Sequence, residues 1–195
     1  ARRRHTDSCW ETTQRSGYHG RPPTEDRDPM TKDPKTYPAT GTVTRIEGVK
    51  TKSLRLIADE RGWLMEILRS DDAELFTKFG QVYVSATYPG VVKAWHYHKK
   101  QVDSFACIAG MVKLVLIDTR SGSTTEGTVN EFFIGSKNPM LVQVPALVYH
   151  GWKCIGTEPS LVANITNEAY QYSEPDEYRM EPHGTLPYDW SRVDG

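Results

Sequence analysis

The sequence predicts an all-β domain, a sandwich or barrel with the jelly roll among the candidates, and three observations carry that expectation. Ten short apolar runs succeed one another after residue 50, with Gly or Pro between them. Several alternate with a period of two, as where Val82 and Val84 stand against Tyr83 and Ser85. A helical pattern is confined to residues 71–78. Frequent short strands separated by turn signals are the mark of sandwiches and barrels.

In chain order, strands are expected at 52–57 and 62–69, followed by the short helix at 71–78. The run 80–88 stops at Pro89-Gly90, and 91–98 leads into a Lys99-Lys100 turn. Residues 103–108 end before Gly110. The run 111–118 is almost continuously apolar and reads as a strand buried on both faces. Strands at 129–134, 141–144, 149–155 and 161–166 complete the set, with Pro145 and Gly156 as breaks.

Of 195 residues, 24 are Lys or Arg and 25 Asp or Glu, for a net charge of −1. That balance supplies no basic field for nucleic acid. The longest apolar run, 112–117, contains Lys113 and falls far short of the roughly 20 residues of a membrane span. Three widely spaced cysteines (Cys9, Cys107, Cys154) with no CxxC pair argue against a disulfide framework or a thiolate zinc site. They fit a reducing, cytoplasmic setting. Before Val43 there is no Ile, Leu, Val or Phe, while five of the twelve prolines lie there. Residues 1–40 are therefore expected to form a disordered tail ahead of one domain, 41–195. The leading arginines are followed by no apolar stretch, so they are not a secretory signal. Met30 is a candidate start, with residues 1–29 then an upstream addition.

One constellation bears chemistry. In Trp95-His96-Tyr97-His98 the histidines are two apart, so on a strand both project from one face. The Lys99-Lys100 turn returns Asp103 beside them, and the Pro145 turn delivers His150. Three imidazoles and a carboxylate suit Fe(II), Mn(II), Ni(II) or Zn(II). A polar strand face is the plain alternative.

The spacing G-x5-H-x-H-x4-D-x6-G, followed by P-x-L-x2-H, resembles the two cupin motifs. Asp103 stands where many cupins carry Glu and Leu147 where they carry Gly. More narrowly, the chain resembles the dTDP-4-dehydrorhamnose 3,5-epimerase family over about residues 50–190. Asp59-Glu60-Arg61-Gly62-Trp63-Leu64-Met65-Glu66 is similar to its D-x-R-G-x-F-x-E segment, and residues 90–97 to its G-V-x-R-G-L-H-Y strand. Asp118-Thr119-Arg120 with Ser123 and Thr124 matches its D-x-R-x-x-S-x-T turn. His150-Gly151-Trp152 stands for H-G-F and Asp189-Trp190 for its closing D-W.

The resemblance implies a cupin jelly-roll barrel acting on a sugar or sugar nucleotide, usually as a homodimer. His96 is then the base that removes a proton next to a ketone. The family's oxyanion-stabilising Lys corresponds to Asp103, its acid Tyr to Gln143, and its late Asp to His183. Gln143 has no proton to donate, and Asp103 repels an oxyanion unless a cation lies beside it. Arg61, Glu66, Gln81, Ser85 and Lys93 match positions around nucleotide and sugar, and Gln143 is grouped with them.

A divalent ion on His96, His98, Asp103 and His150 would replace the lysine. His183 or a metal-bound hydroxide would then serve as base, and Tyr149 is a further candidate acid. The leading expectation is metal-assisted proton abstraction on a keto-sugar, short of full 3,5-epimerisation. A non-catalytic sugar-binding cupin, and a metal-dependent oxygenase or isomerase with an unrelated substrate, stand as alternatives.

Overall fold

The computed structural model describes residues 44–194; the tail expected at 1–40 lies outside them. Among the described residues there are twelve strands and no α-helix. They are β1 (Lys50–Ser53), β2 (Leu56–Asp59), β3 (Gly62–Met65), β4 (Gln81–Thr87), β5 (Val92–Tyr97), β6 (Asp103–Ala109), β7 (Met111–Ile117), β8 (Val129–Gly135), β9 (Met140–Val144), β10 (Tyr149–Cys154), β11 (Ser160–Thr166) and β12 (Tyr178–Arg179). One sheet has the order β1-β9-β6-β11-β4 and the other β12-β5-β10-β7-β8, while β2 and β3 form a separate hairpin. From β4 to β7, and again from β8 to β12, each strand lies in the sheet opposite its predecessor. This is the jelly-roll arrangement, and its purpose here is to face two antiparallel sheets across one interior.

Inward side chains of both sheets fill that interior, whereas the alternation at 82–85 leaves Val82 and Val84 exposed outside and turns Tyr83 and Ser85 inward. Phe105 and Cys107 of β6, Leu114 and Leu116 of β7, Val142 and Val144 of β9, Trp152 and Val162 pack between the sheets. The outer faces are covered by loops. Leu54 and Leu75 lie on Ala106 and Leu141 of the first sheet. Leu186 and Trp190 lie on Trp95, Val115 and Ile117 of the second. Trp95 and Trp190 are both almost wholly buried, so truncating either ring costs about 3–5 kcal/mol.

Three expectations change. The run 52–57 divides, because Leu54 turns down into the outer cluster and its N–H bonds Pro139 O at 3.0 Å. Residues 71–78 form one hydrogen-bonded turn, with Leu75 N and Phe76 N both on Asp72 O at 2.8 Å. So short a segment cannot recover the cost of helix nucleation, and it serves to place Leu75. The two-residue strand β12 was not expected, since it carries no alternating pattern.

Candidate active site

Strand parity decides which side chains reach the interior. Across the β11–β4 pairing, Thr166 faces Gln81, Asn164 faces Tyr83, Val162 faces Ser85 and Ser160 faces Thr87. On the other sheet β10 turns His150 and Trp152 inward. Its pairing with β5 slips, His150 standing opposite His96 and Trp152 opposite Lys93. This bulge brings Lys93 and His96, three residues apart, to one face. Gly151 permits it: a Cβ there would lie 2.3 Å from Ala94 Cβ.

Strand β5 ends at Tyr97, so His98 enters the following turn. That turn is fixed by Asp176, whose carboxylate accepts the backbone N–H of Lys99 and Lys100 at 2.8 Å and of Gln101 at 3.0 Å. The Asp176 carbonyl accepts His98 Nδ1–H. Leu147 occupies left-handed backbone (φ 67°), and its N–H bonds His98 O at 2.7 Å. The resemblance implies Gly there, the residue such a conformation favours.

His98 Nε2 lies 3.2 Å and His150 Nε2 3.4 Å from Asp103 Oδ2. Asp103 Oδ1 accepts Gln101 Nε2 at 2.8 Å and Asn164 Nδ2 at 2.7 Å. All three residues are buried, and their ligand-type atoms lie within 4.8 Å of one another. His150 Nδ1 faces Val148 O at 3.1 Å. Both imidazoles therefore spend Nδ1–H on a backbone carbonyl and aim Nε2 at one carboxylate oxygen. That is the outer-shell arrangement that orients metal-ligating histidines. Without positive charge between them, two lone pairs would confront the carboxylate.

Burial pushes the Asp103 carboxyl up, but the hydrogen bond from His98 and the nearby imidazoles overcome it, leaving it at about 2. Burial pushes His98 down, and its hydrogen bond to Asp103 more than reverses this. Burial pushes His150 down, with Asp103 opposing.

His96 stands outside the triad, its ring 6.1 Å from that of His150 and nearly perpendicular to it. The expected fourfold convergence thus reduces to three, because His98 has left the strand that dictates the direction of His96. Burial, followed by His150, pushes His96 down to about 4, with Glu177 opposing. Arg179 of β12 pairs with His96 in register and binds the Glu177 carboxylate with both oxygens at 2.9 Å.

The other residues singled out from sequence divide. Lys93 and Ser85 meet, Lys93 Nζ donating to Ser85 Oγ at 2.7 Å. Gln81 Oε1 accepts Tyr170 N at 3.2 Å, holding the 168–178 loop. Gln143 faces away from the interior: its Nε2 donates to Leu75 O at 2.7 Å and Ser104 Oγ at 3.1 Å. Val142 and Val144 take the core face of β9 instead. Tyr149 lies on the outer face of its sheet against Tyr97, opposite in parity to His150. His183 is exposed and is not part of the buried cluster. Arg61 and Glu66 are exposed on and beside the hairpin, paired with Asp59 and Arg69.

Sequence reasoning missed Tyr83, Gln101, Asn164, Asp176, Glu177 and Arg179. For Tyr83 the signal was present, since it shares parity with Gln81 and Ser85. For Asp176 to Arg179 there was none, because no periodic run marks that segment.

A two-sheet jelly roll whose interior gathers imidazoles, a carboxylate, a phenol and buried amides defines a cupin-type protein of the sugar-isomerase kind. The sequence matches the family model described as dTDP-4-dehydrorhamnose 3,5-epimerase over residues 43–192, and the chain belongs to that family. It is 41% identical to the probable low-salt glycan biosynthesis epimerase Agl13 of Haloferax volcanii, over 74% of this chain and 89% of that protein. It is 39% identical to the spore coat polysaccharide biosynthesis protein SpsL of Bacillus subtilis, over 75% and 97% respectively. Among solved structures it resembles a dTDP sugar isomerase from Desulfovibrio desulfuricans G20, with a TM-score of 0.71, 32% identity and coverage of 76% of this chain and 94% of that one. The enzyme class is isomerase, of the sugar-epimerase type.

Proposed function

We propose that this chain removes a proton next to the carbonyl of a nucleotide-activated keto-sugar, with His96 as base, and exchanges one carbon rather than two. The observation that carries this reading is the separation of His96 from the His98–Asp103–His150 triad. An imidazole kept neutral by burial, and not engaged by the carboxylate, retains a lone pair for a C–H proton. The single-carbon reading is supported by Asp103, a buried carboxylate where the family resemblance implies a lysine. The chain's own residue at that place cannot stabilise an enolate oxygen.

A divalent cation, Fe, Mn, Ni or Zn, fits His98, Asp103 and His150 by donor chemistry and by the two carbonyl-anchored Nδ1 atoms. When bound, it would supply Lewis-acid polarisation of the substrate carbonyl. Arg179 and Lys93 provide positive charge for an anionic nucleotide. The test is incubation with dTDP-4-keto-6-deoxyglucose in deuterated water, alongside metal analysis of untagged protein. Label at one carbon, lost in His96→Ala, is expected. Label at two carbons at similar rates refutes the single-site reading, and no label refutes the function. His98→Ala should lower bound metal at least tenfold.

A homodimer and cytoplasmic residence belong to the same reading. Edge strand β4 exposes Val82 and Val84 on its outer face, and the hairpin exposes Ile57, Trp63 and Leu64. Exposed apolar side chains on an edge strand and on a separate hairpin suit a second copy of the chain, and light scattering reads the mass directly. Two buried free thiols, Cys107 and Cys154, suit a reducing compartment.

A further inference from the structure

We infer that Tyr83 is the proton donor of this enzyme, acting from the wall opposite His96. The inference rests on the proton-abstraction reading above and adds the second half of the reaction, its stereochemistry. Inversion at a carbon next to a carbonyl needs a base on one side of the sugar ring and an acid on the other. The acid position implied by sequence resemblance, Gln143, points out of the barrel and carries no acidic proton. Tyr149 also lies outside. Tyr83 is the tyrosine of β4 whose parity turns it inward, opposite Asn164.

Its placement meets the geometric requirement. Tyr83 belongs to the β1-β9-β6-β11-β4 sheet and His96 to the β12-β5-β10-β7-β8 sheet, so the two stand on facing walls. Phe105 and His150 touch across the same interior, with ring centroids 5.3 Å apart. His150, opposite His96 on β10, has its Nε2 3.4 Å from Asp103, and the Asn164 amide bonds both Asp103 and the Tyr83 oxygen, so one chain of contacts links the two walls. The Tyr83 ring is partly open, at 42% exposure, while its oxygen is held by Asn164 Nδ2 at 2.8 Å. Asn164 is itself fixed: its Oδ1 accepts Ser104 N at 3.1 Å, and its Nδ2 also donates to Asp103 Oδ1. The amide donates to the phenol oxygen, so the hydroxyl hydrogen is left to be donated elsewhere. Burial, followed by the Asp103 charge, pushes the phenol up to about 12, so it carries its proton at neutral pH.

The step balances within the chain. His96 takes the C–H proton, and the bonding pair enters the enolate. The Tyr83 O–H then protonates the same carbon from the opposite face, and the enolate pair forms the new C–H bond. Phenolate and imidazolium return to their starting states by one proton gained from and one lost to water. Asn164 Nδ2–H, already on the phenol oxygen, stabilises the transient phenolate.

The experiment is Tyr83→Phe with dTDP-4-keto-6-deoxyglucose in deuterated water, reading label uptake and product configuration separately. Tyr83→Phe should keep label uptake within about tenfold of wild type, because His96 still removes the proton and returns solvent deuterium to the original face. Formation of the inverted product should fall by about 10²–10⁴-fold. Inverted product at the wild-type rate overturns the inference. So does an equal fall in exchange and inversion, which is what a merely structural role for the ring would give. Asn164→Ala separates the cases further by slowing inversion more than exchange. Absence of label in the wild-type enzyme refutes the proton-abstraction reading itself, and this inference with it.

Discussion

Removing the Asp103 carboxylate tests whether the buried triad holds the barrel together as well as serving it. Asp103 is 1% exposed and starts the central strand of its sheet, with β9 on one side and β11 on the other. Two amide donors, Gln101 Nε2 and Asn164 Nδ2, bind its Oδ1, while His98 Nε2 and His150 Nε2 stand 3.2 and 3.4 Å from its Oδ2. In metal-free protein Asp103→Ala orphans two amide N–H groups at about 1–3 kcal/mol each, and strips His98 of its counter-charge. A loss of about 3–5 kcal/mol is expected, the range for breaking a buried ion pair from one side. Asp103→Asn should cost only about 1–2 kcal/mol. Its oxygen still accepts the two amides, and its NH2 can donate to imidazole Nε2 atoms whose Nδ1–H groups are already bound to carbonyls. Urea denaturation at neutral pH in the presence of a chelator measures both. For a domain of this size the alanine variant should melt roughly 6–20 °C lower. Losses under about 1 kcal/mol for both variants would refute the view that this carboxylate organises the interior.

Two further outcomes follow from other parts of the barrel. Asp118 is fully buried; burial pushes its carboxyl up, but hydrogen bonds from Arg120, Thr125 and Ser123 hold it well below the ordinary range. Its folded value thus lies below the unfolded value of about 3.9, so its contribution is complete above about pH 5 and disappears as the pH falls through the folded value. Urea titrations from pH 6 to 2 should show the wild type losing at least about 1 kcal/mol more than Asp118→Asn; parallel curves would exclude this site as a source of acid sensitivity. Gly151→Ala puts a methyl 2.3 Å from Ala94 Cβ and 2.8 Å from its Cα. Overpacking of that kind costs about 1–3 kcal/mol, and a calorimetric melt unchanged within error would show that the bulge yields freely.

The legible and illegible parts of the molecule divide along physical lines. Strands β6 and β7 are readable because burial on both faces leaves near-continuous apolar runs, and β4 because its two faces differ in kind, valines outside and polar side chains within. Leu54 reads as strand in the sequence because an apolar residue looks alike whether it continues a strand or drops into a loop cluster, as it does here. The triad was readable from the HxH spacing, but the membership of His96 was not. Parity holds only while the strand lasts, and β5 ends one residue before His98. For Gln143 the parity of Val142 and Val144 already placed it on the outer face, and motif spacing gave the wrong guide. Glu177 and Arg179 left no trace, because two residues of pairing impose no pattern.

The position of β12 along the chain has a consequence for how the enzyme comes into being. Every other strand precedes it, so a ribosome-bound chain that has released β11 already holds the inter-sheet core together with His98, Asp103 and His150. It still lacks the Asp176 cap on the turn, the Glu177–Arg179 pair beside His96, and the Leu186–Trp190 cover over Trp95. The vessel is made before its mouth. A premature stop in this stretch would yield a chain that collapses around a sound core but leaves a large indole and its neighbours uncovered, the kind of surface that draws chaperones and aggregation. The same last-made segment that readies the cavity for substrate thus hides the sticky face of an unfinished chain.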